Sequence, residues 1–247
     1  MKISLVGYGK MGHAVEHIAL SRGHEIVCRV DTGEDHLIDT PEFRSADVII
    51  EFTRPDTAIA NYSRLLPLGI PVVSGTTGWT ARRAEVEKMV ADCGARFFWT
   101  SNFSIGVALF QRLAVTAEKL IGGYSQYRPE MMEIHHIHKL DHPSGTAVTT
   151  AEALIEASKD TKAPLDAWTE DSAKAAADPA GLLINHRREG EVPGTHIVTW
   201  TSPVDSISLE HKAFSRDGFA LGAVIAAEWL PATPAPGFYS MPDLLGF

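Results

Sequence analysis

"KISLVGYGKMG", residues 2–12, decides the fold. It opens as a short β-rich run, and Gly7, Gly9 and Gly12 follow at G-x-G-x-x-G spacing. Met11, Ala14, Val15, Ile18 and Ala19 then recur at helical spacing, which predicts a helix over 10–22. A glycine loop that leaves a strand and opens a helix lets the backbone approach a pyrophosphate, whose charge rests on the helix's unpaired N–H groups. Tyr8 and Lys10 lie in the same loop, and Asp31 ends the next β-like run, placed to accept hydrogen bonds from an adenosine ribose. The competing reading is a tight turn and a solvated aspartate.

The pattern continues outward from that loop. Strands are expected at 25–31, 46–52, 71–75 and 96–101, with helices at 55–66 and at 80–93, the latter stopped by Gly94. Alternating strands and helices imply a parallel sheet with right-handed crossovers. "SGTTGWT" (74–80) and "TSNFS" (100–104) follow two of these strands. Ligands of open α/β sheets bind beyond the carboxyl ends of strands, so Gly75, Thr76, Thr77, Thr100, Ser101, Asn102 and Phe103 are candidates for the nicotinamide side.

Beyond residue 105 the texture changes. A helix over 105–121 precedes a histidine-rich strand at 131–138 and a helix opening at Ser144. Residues 159–191 read as a long surface loop with one weak helix. Strands at 196–202 and 206–214, a helix at 216–230 and a Pro-rich tail complete the chain. The fold class expected is α/β: an N-terminal Rossmann dinucleotide-binding domain over 1–104, with 216–247 returning to it, and a C-terminal α+β substrate-binding domain over 105–215.

Composition narrows the function. A formal net charge of -9 on 247 residues argues against nucleic acid, which requires a basic surface. Two cysteines, Cys28 and Cys93, make no disulfide framework and point to the reducing cytoplasm. No run of about 18 apolar residues, the length a membrane span needs, is unbroken; "GFALGAVIAAEWL" comes closest and is interrupted by Glu228.

"EIHHIHKLDHPSGTA", residues 133–147, holds four histidines and a lysine. On an extended strand His135, Ile137 and Lys139 would share one face, with His136 and His138 on the other. A His-x-His pair suits zinc and hence a zinc hydrolase, but Lys139 would repel a cation and no further ligand motif accompanies it. A bare sheet edge leaves Asp141–Thr146 unexplained. Ser144, Gly145 and Thr146 read as a helix N-terminus, which attracts anions, and Lys139 adds a full charge. Four strand residues span about 13 Å, so His135 and Lys139 meet one small ring only if the chain bends, and the Asp-His-Pro-Ser segment is the expected place. The cluster reads as acid–base and anion-binding groups around a compact anionic substrate, with no metal.

These motifs closely resemble the dihydrodipicolinate (4-hydroxy-tetrahydrodipicolinate) reductases of diaminopimelate–lysine biosynthesis. The likeness runs through the glycine loop, "GTTG", "NFSIGV", the His/Lys–PSGT block, R-x-G-x-x-x-G-x-H at 188–196 and "GFYSMPDLL". It implies hydride transfer from a reduced nicotinamide to an unsaturated pyridine-derived ring, then protonation. By the same likeness His135 is the proton donor and Lys139 a second acid or polarising group. His136, Ser144, Gly145 and Thr146 bind the cyclic dicarboxylate substrate. Gly7, Tyr8, Gly9, Lys10, Met11, Gly12, Asp31, Gly75 to Thr77 and Thr100 to Phe103 hold the cofactor. A homotetramer assembled through the second domain's sheet is implied as well. A nucleotide-sensing regulator on the same scaffold would leave the His/Lys pair without a purpose.

Two positions depart from the family's pattern. Glu51 stands where an aspartate is usual, and Thr32, Gly33, Glu34 and Asp35 occupy the place of the basic residue that accepts a 2′-phosphate. NADH is therefore the expected cofactor and NADPH the second choice, with Arg29 the one nearby base that could compensate.

Overall fold

The computed structural model describes residues 1–215 and 217–247. The chain forms two compact units, one of Met1–Ile105 with Asp217–Phe247, the other of Gly106–Arg216, of which Arg216 lies outside the described residues.

In the first unit, β1 (Lys2–Val6), β2 (Glu25–Val30), β3 (Val48–Glu51), β4 (Val72–Ser74) and β5 (Arg96–Trp99) alternate with α1 (Lys10–Ser21), the short α2 (Pro41–Arg44), α3 (Pro55–Leu65) and α4 (Arg83–Cys93). All strand pairs are parallel, and every residue of β3 is buried, as a sheet covered on both faces requires. Tyr62 anchors the core edge-on to Trp79 and Phe97, at centroid distances of 5.3 and 5.0 Å.

The second unit begins with α5 (Ile105–Ile121), then β6 (Arg128–His135), α6 (Gly145–Ser158), β7 (Ala167–Thr169), α7 (Ser172–Ala177), β8 (Gly181–Arg188), β9 (Thr195–Thr201) and β10 (Ser206–Lys212). Its sheet runs β10-β9-β6-β8-β7, antiparallel on the β9 side and parallel on the β8 side. Met131, Leu182, Ile184, Val198 and Trp200 share a core with Phe110 and Ala114 of α5 and Ala147, Ala151 and Leu154 of α6.

After the second unit the chain returns to the first. The small buried residues of α8 (Asp217–Trp229) pack against α1, β3 and β4. At Gly222 a Cβ would stand 1.8 Å from the Phe103 carbonyl oxygen, so only glycine fits. Glu228 joins this helix to Arg22 at 2.8 Å and His24 at 2.7 Å. Finally β11 (Gly237–Tyr239) lies parallel to β5, giving the order β11-β5-β4-β3-β1-β2, and α9 (Met241–Leu245) follows.

Three expectations are corrected. Residues 159–191 are not a loop, because β8 sits between β6 and β7 with Leu182 and Ile184 fully buried. The Pro-rich tail contributes a strand. The histidine strand runs over 128–135 rather than 131–138, and the Lys139 N–H closes a turn onto the His136 carbonyl at 3.1 Å. His136 to Lys139 therefore do not alternate across a sheet, and the bend lies earlier than Asp141.

Candidate active site

In the first unit the glycine loop is built for close approach. Gly7 has φ +90°, and its N–H donates to the Val30 carbonyl. A Cβ there would lie 2.0 Å from the Phe52 oxygen, and one on Gly12 would lie 2.5 Å from the Gly7 oxygen. A Cβ on Gly9, the residue ahead of α1, would meet nothing. The helix start has no side-chain cap and no acidic residue in its first turn, so its dipole and unpaired N–H groups suit an anion, with Tyr8, Lys10 and Met11 in the same turn. These features fit a dinucleotide pyrophosphate.

Asp31 follows β2 and is exposed. Its Oδ1 accepts the Thr32 N–H at 2.8 Å, while its own N–H donates to Glu34. Arg29 does not attend this group. Its guanidinium pairs with Glu16, which also accepts the Tyr8 hydroxyl, and hydrogen bonding to Arg29 holds the Glu16 carboxyl below its ordinary range. The carboxylates of Asp31, Glu34 and Asp35 thus have no free base from Arg29.

Beyond β3 and β4 a polar network fixes the other loop. Glu51 is fully buried; its carboxylate accepts from Ser74 at 2.6 Å, Thr76 at 2.8 Å and the Thr53 N–H at 3.1 Å. Burial pushes its carboxyl up, and these donors oppose the rise. The indoles of Trp79 and Trp99 donate to the Thr76 carbonyl at 2.7 and 2.8 Å, so Thr76 is buried whereas Thr77 is exposed. Gly75 is pressed on the Phe52 ring, which packs against Phe103. Thr100 caps its own turn, accepting the Asn102 N–H at 3.2 Å, and Asn102 accepts from Ser104; Ser101 is exposed.

In the second unit the core face of the sheet turns from apolar to polar along its strands. Met131, Glu133 and His135 are the buried alternate residues of β6, and His196, Val198 and Trp200 those of β9. Glu133 stands opposite His196, and the rings of His135 and His196 meet edge-on at 5.1 Å. The Glu133 carboxylate accepts from Arg188 at 3.1 Å and from the Ser144 N–H at 2.9 Å, and lies 3.7 Å from His135 Nδ1. Burial alone would raise the Glu133 carboxyl; Ser144, His135 and Arg188 together hold it below its ordinary range.

Burial lowers the His135 pKa, and the charges of Lys139 and Arg188 add to that effect, outweighing the pull of Glu133. His196, buried deeper, falls to about 4 for the same reason. A Cβ on Gly194 would stand 3.2 Å from His135 Nε2, so this glycine keeps the ring's outer nitrogen accessible.

Lys139 Nζ holds both oxygens of Asp141, at 2.8 and 2.7 Å. Arg188 binds the backbone of the same turn, donating to the Lys139 carbonyl at 3.1 Å and the Asp141 carbonyl at 2.6 Å. Ser144 caps α6, its Oγ accepting the Ala147 N–H, with Gly145 and Thr146 in the first turn. The space beyond Gly145 is open, and the turn has no acidic residue. One rim thus gathers His135, the Lys139 turn and the start of α6, with His136 beside them, all fastened through Glu133 and Arg188.

The sequence reading gave no role to Glu133, Arg188, His196 or Glu51. The first three lie within quoted motifs, but Arg188 gains its partners only because β8 is a strand beside β6.

Two family descriptions match the chain: "Dihydrodipicolinate reductase, N-terminus" over residues 1–103 and "Dihydrodipicolinate reductase, C-terminus" over 106–245. The 4-hydroxy-tetrahydrodipicolinate reductase of Christiangramia forsetii is 40% identical, covering 99% of this chain and 98% of that one. The reductase of the same name from Archaeoglobus fulgidus is 32% identical across 99% of this chain and 100% of its own. Among solved structures, a dipicolinate-bound dihydrodipicolinate reductase from a Paenisporosarcina species superposes with a TM-score of 0.77 at 21% identity, covering 98% of both chains. A probable dehydrogenase from Thermotoga maritima shares the fold at TM-score 0.60 and 8% identity, covering 99% of this chain and 92% of that one. With both halves matched and full-length relatives of one name, this chain belongs to the dihydrodipicolinate reductase family.

Proposed function

We propose that the chain reduces 4-hydroxy-tetrahydrodipicolinate, a cyclic dicarboxylate, with NADH as preferred reductant. The observation that carries this is the rim of the second sheet, where a buried imidazole, an ammonium and an uncapped-by-acid helix start lie together. The full-length relatives named for this activity and the dipicolinate bound by the Paenisporosarcina protein support the same substrate class.

A bound reduced nicotinamide supplies the hydride. Gly7 to Gly12 would hold its pyrophosphate, Asp31 its ribose, and Gly75 to Thr77 with Thr100 to Phe103 its nicotinamide half. Asp31, Glu34 and Asp35 disfavour a 2′-phosphate, and Arg29, engaged by Glu16, does not offset them. On the substrate side, the first-turn N–H groups of α6 at Gly145 and Thr146 receive a ring carboxylate, with Ser144 shaping that turn. Lys139 leaves Asp141 for the substrate and stabilises developing charge, while His136 contributes a further polar contact. His135 delivers the proton. Burial, with Lys139 and Arg188, favours its neutral form in the free protein, and a dianion nearby raises its affinity for the proton it must donate.

Neither alternative has such support: among the described residues His136 and His138 belong to no converging group of three ligands on which a zinc hydrolase could be built, and a sensor has no use for this rim. We also infer a cytoplasmic homotetramer. Leu109, Leu113, Leu120, Tyr124 and Ile207 of the second unit are large exposed apolar side chains, and β10 is an edge strand. No helix among the described residues is long and apolar enough to cross a membrane.

The test is a coupled assay in which a synthase generates substrate while nicotinamide absorbance is followed. Turnover is expected, with competitive inhibition by pyridine-2,6-dicarboxylate. No NAD(P)H consumption would refute the activity.

A further inference from the structure

Outside the rim described above, a second cluster joins three segments of the second unit. His142 precedes α6, Glu170 follows β7, and His186 lies on β8. Glu170 Oε1 is 2.9 Å from His142 Nδ1 and 3.0 Å from His186 Nδ1, and the two imidazoles stack at 4.2 Å with an interplanar angle of 16°. The three ligand atoms all lie within 4.8 Å of one another. Glu170 Oε1 hydrogen-bonds His142 Nδ1 and lies within ion-pair reach of His186 Nδ1, so one carboxylate and two imidazoles converge on one point.

We propose that His142, Glu170 and His186 form a binding site for a late first-row divalent cation of the zinc class. Two imidazole nitrogens and a carboxylate suit that class; metal–ligand distances of about 2.0–2.2 Å put neighbouring donors roughly 3.3 Å apart in a tetrahedral site. The donor atoms are already close, and one exposed imidazole must turn out of the stack so that both in-plane lone pairs meet the ion. Side-chain exposures of 51%, 30% and 34% leave the site open to entry and to solvent as the remaining ligand. The buried Glu133, His135 and His196 also converge, but there Arg188 and the Ser144 N–H already occupy the carboxylate.

The consequence is a clip. A cation here would tie the turn ahead of Ser144 to β8 and to the β7–α7 connection. Occupancy would stiffen the approach to α6 without contacting the proposed substrate groups. The site is independent of the reductase reading.

The experiment is calorimetric titration of untagged full-length protein with Zn²⁺, repeated on His186→Ala, on the near-isosteric Glu170→Gln and on His196→Gln. Saturable binding of one ion per chain is expected. Both cluster variants should weaken it by about tenfold or more, a loss of about 1.4 kcal/mol, while His196→Gln retains it. Zn²⁺ should also raise the thermal midpoint of the wild type and not of Glu170→Gln. No saturable binding at millimolar Zn²⁺ would overturn the proposal. So would binding that survives both cluster variants or is lost only in His196→Gln.

Discussion

Arg188 and Glu133 meet at 3.1 Å on adjacent strands, and the same guanidinium holds the carbonyls of Lys139 and Asp141. One partly buried guanidinium therefore fixes both the Glu133 carboxylate beside His135 and the turn carrying Lys139. Arg188→Met leaves Glu133 buried without its cation. We expect a loss of about 3–5 kcal/mol of stability, the usual result of breaking a buried pair. Activity should fall by more than the unfolded fraction explains. Denaturation and kcat measured on the same preparation check this; an unchanged midpoint would show that the pair contributes nothing.

His135→Ala should lower kcat by about 10²–10⁴-fold, the range of general acid help. The pH profile offers a sharper test. In the free protein burial, Lys139 and Arg188 hold the His135 pKa below 6.5, and kcat/KM reports the free protein. Bound dicarboxylate raises it, and kcat reports the complex. Since the protonated form donates, both parameters fall as pH rises, and the fall in kcat should come at higher pH. Coincident limbs, or a limb persisting in His135→Ala, would remove His135 from this role.

On the proposed mechanism Asp141, paired with Lys139, competes with substrate for it. Asp141→Asn should lower the inhibition constant of pyridine-2,6-dicarboxylate about 1.4- to 5-fold, which corresponds to the roughly 0.2–1 kcal/mol of an exposed ion pair. Weaker inhibition would mean that Asp141 orients the lysine instead.

His196 carries a stability cost in acid. Its folded pKa of about 4 lies below the ordinary 6.5, so the unfolded chain binds the proton more readily. The penalty is absent above pH 6.5, grows as pH falls and is complete near pH 4, reaching roughly 3 kcal/mol at about 1.4 kcal/mol per pKa unit. His196→Gln should flatten the decline in denaturant midpoint between pH 7 and 5. A parallel decline in both proteins would place the acid sensitivity elsewhere.

Cofactor choice turns on the segment after β2. A charge-assisted hydrogen bond is worth about 1.5–3 kcal/mol, so NADH should be favoured over NADPH by roughly 10- to 150-fold in kcat/KM. Thr32→Arg should recover NADPH use with little harm to NADH. A wild type that prefers NADPH would overturn the reading of Asp31 and leave the reductase assignment standing.

The parallel half of the fold was legible because its strands are short apolar runs separated by helices with glycine stops, as at Gly94. The candidate site was legible where chemistry is local, in the helix start at Ser144 to Thr146 and the histidines around His135. What escaped was non-local. "GLLINHRR" follows a stretch rich in Asp, Ala and Pro and ends in charge, so Leu182 and Ile184 alone mark β8, and only sheet register shows that Arg188 stands opposite His135. "GFY" has three residues, too few for a period, and owes its strand form to the open edge of β5. At Glu51 the sequence shows only a departure from the usual aspartate; its hydrogen bonds need Ser74 and Thr76, a strand away.

β11 and α8 also bear on how the protein is made. The ribosome delivers β1 to β5 long before residues 217–239, with the entire second unit emitted in between. Until then β5 is an uncovered strand edge, and α1, β3 and β4 lack the small-residue helix that covers them. The nascent first unit therefore waits with an adhesive flank, a state in which strand edges pair with the wrong neighbour. Closure of the first sheet is therefore tied to the last segments to be made.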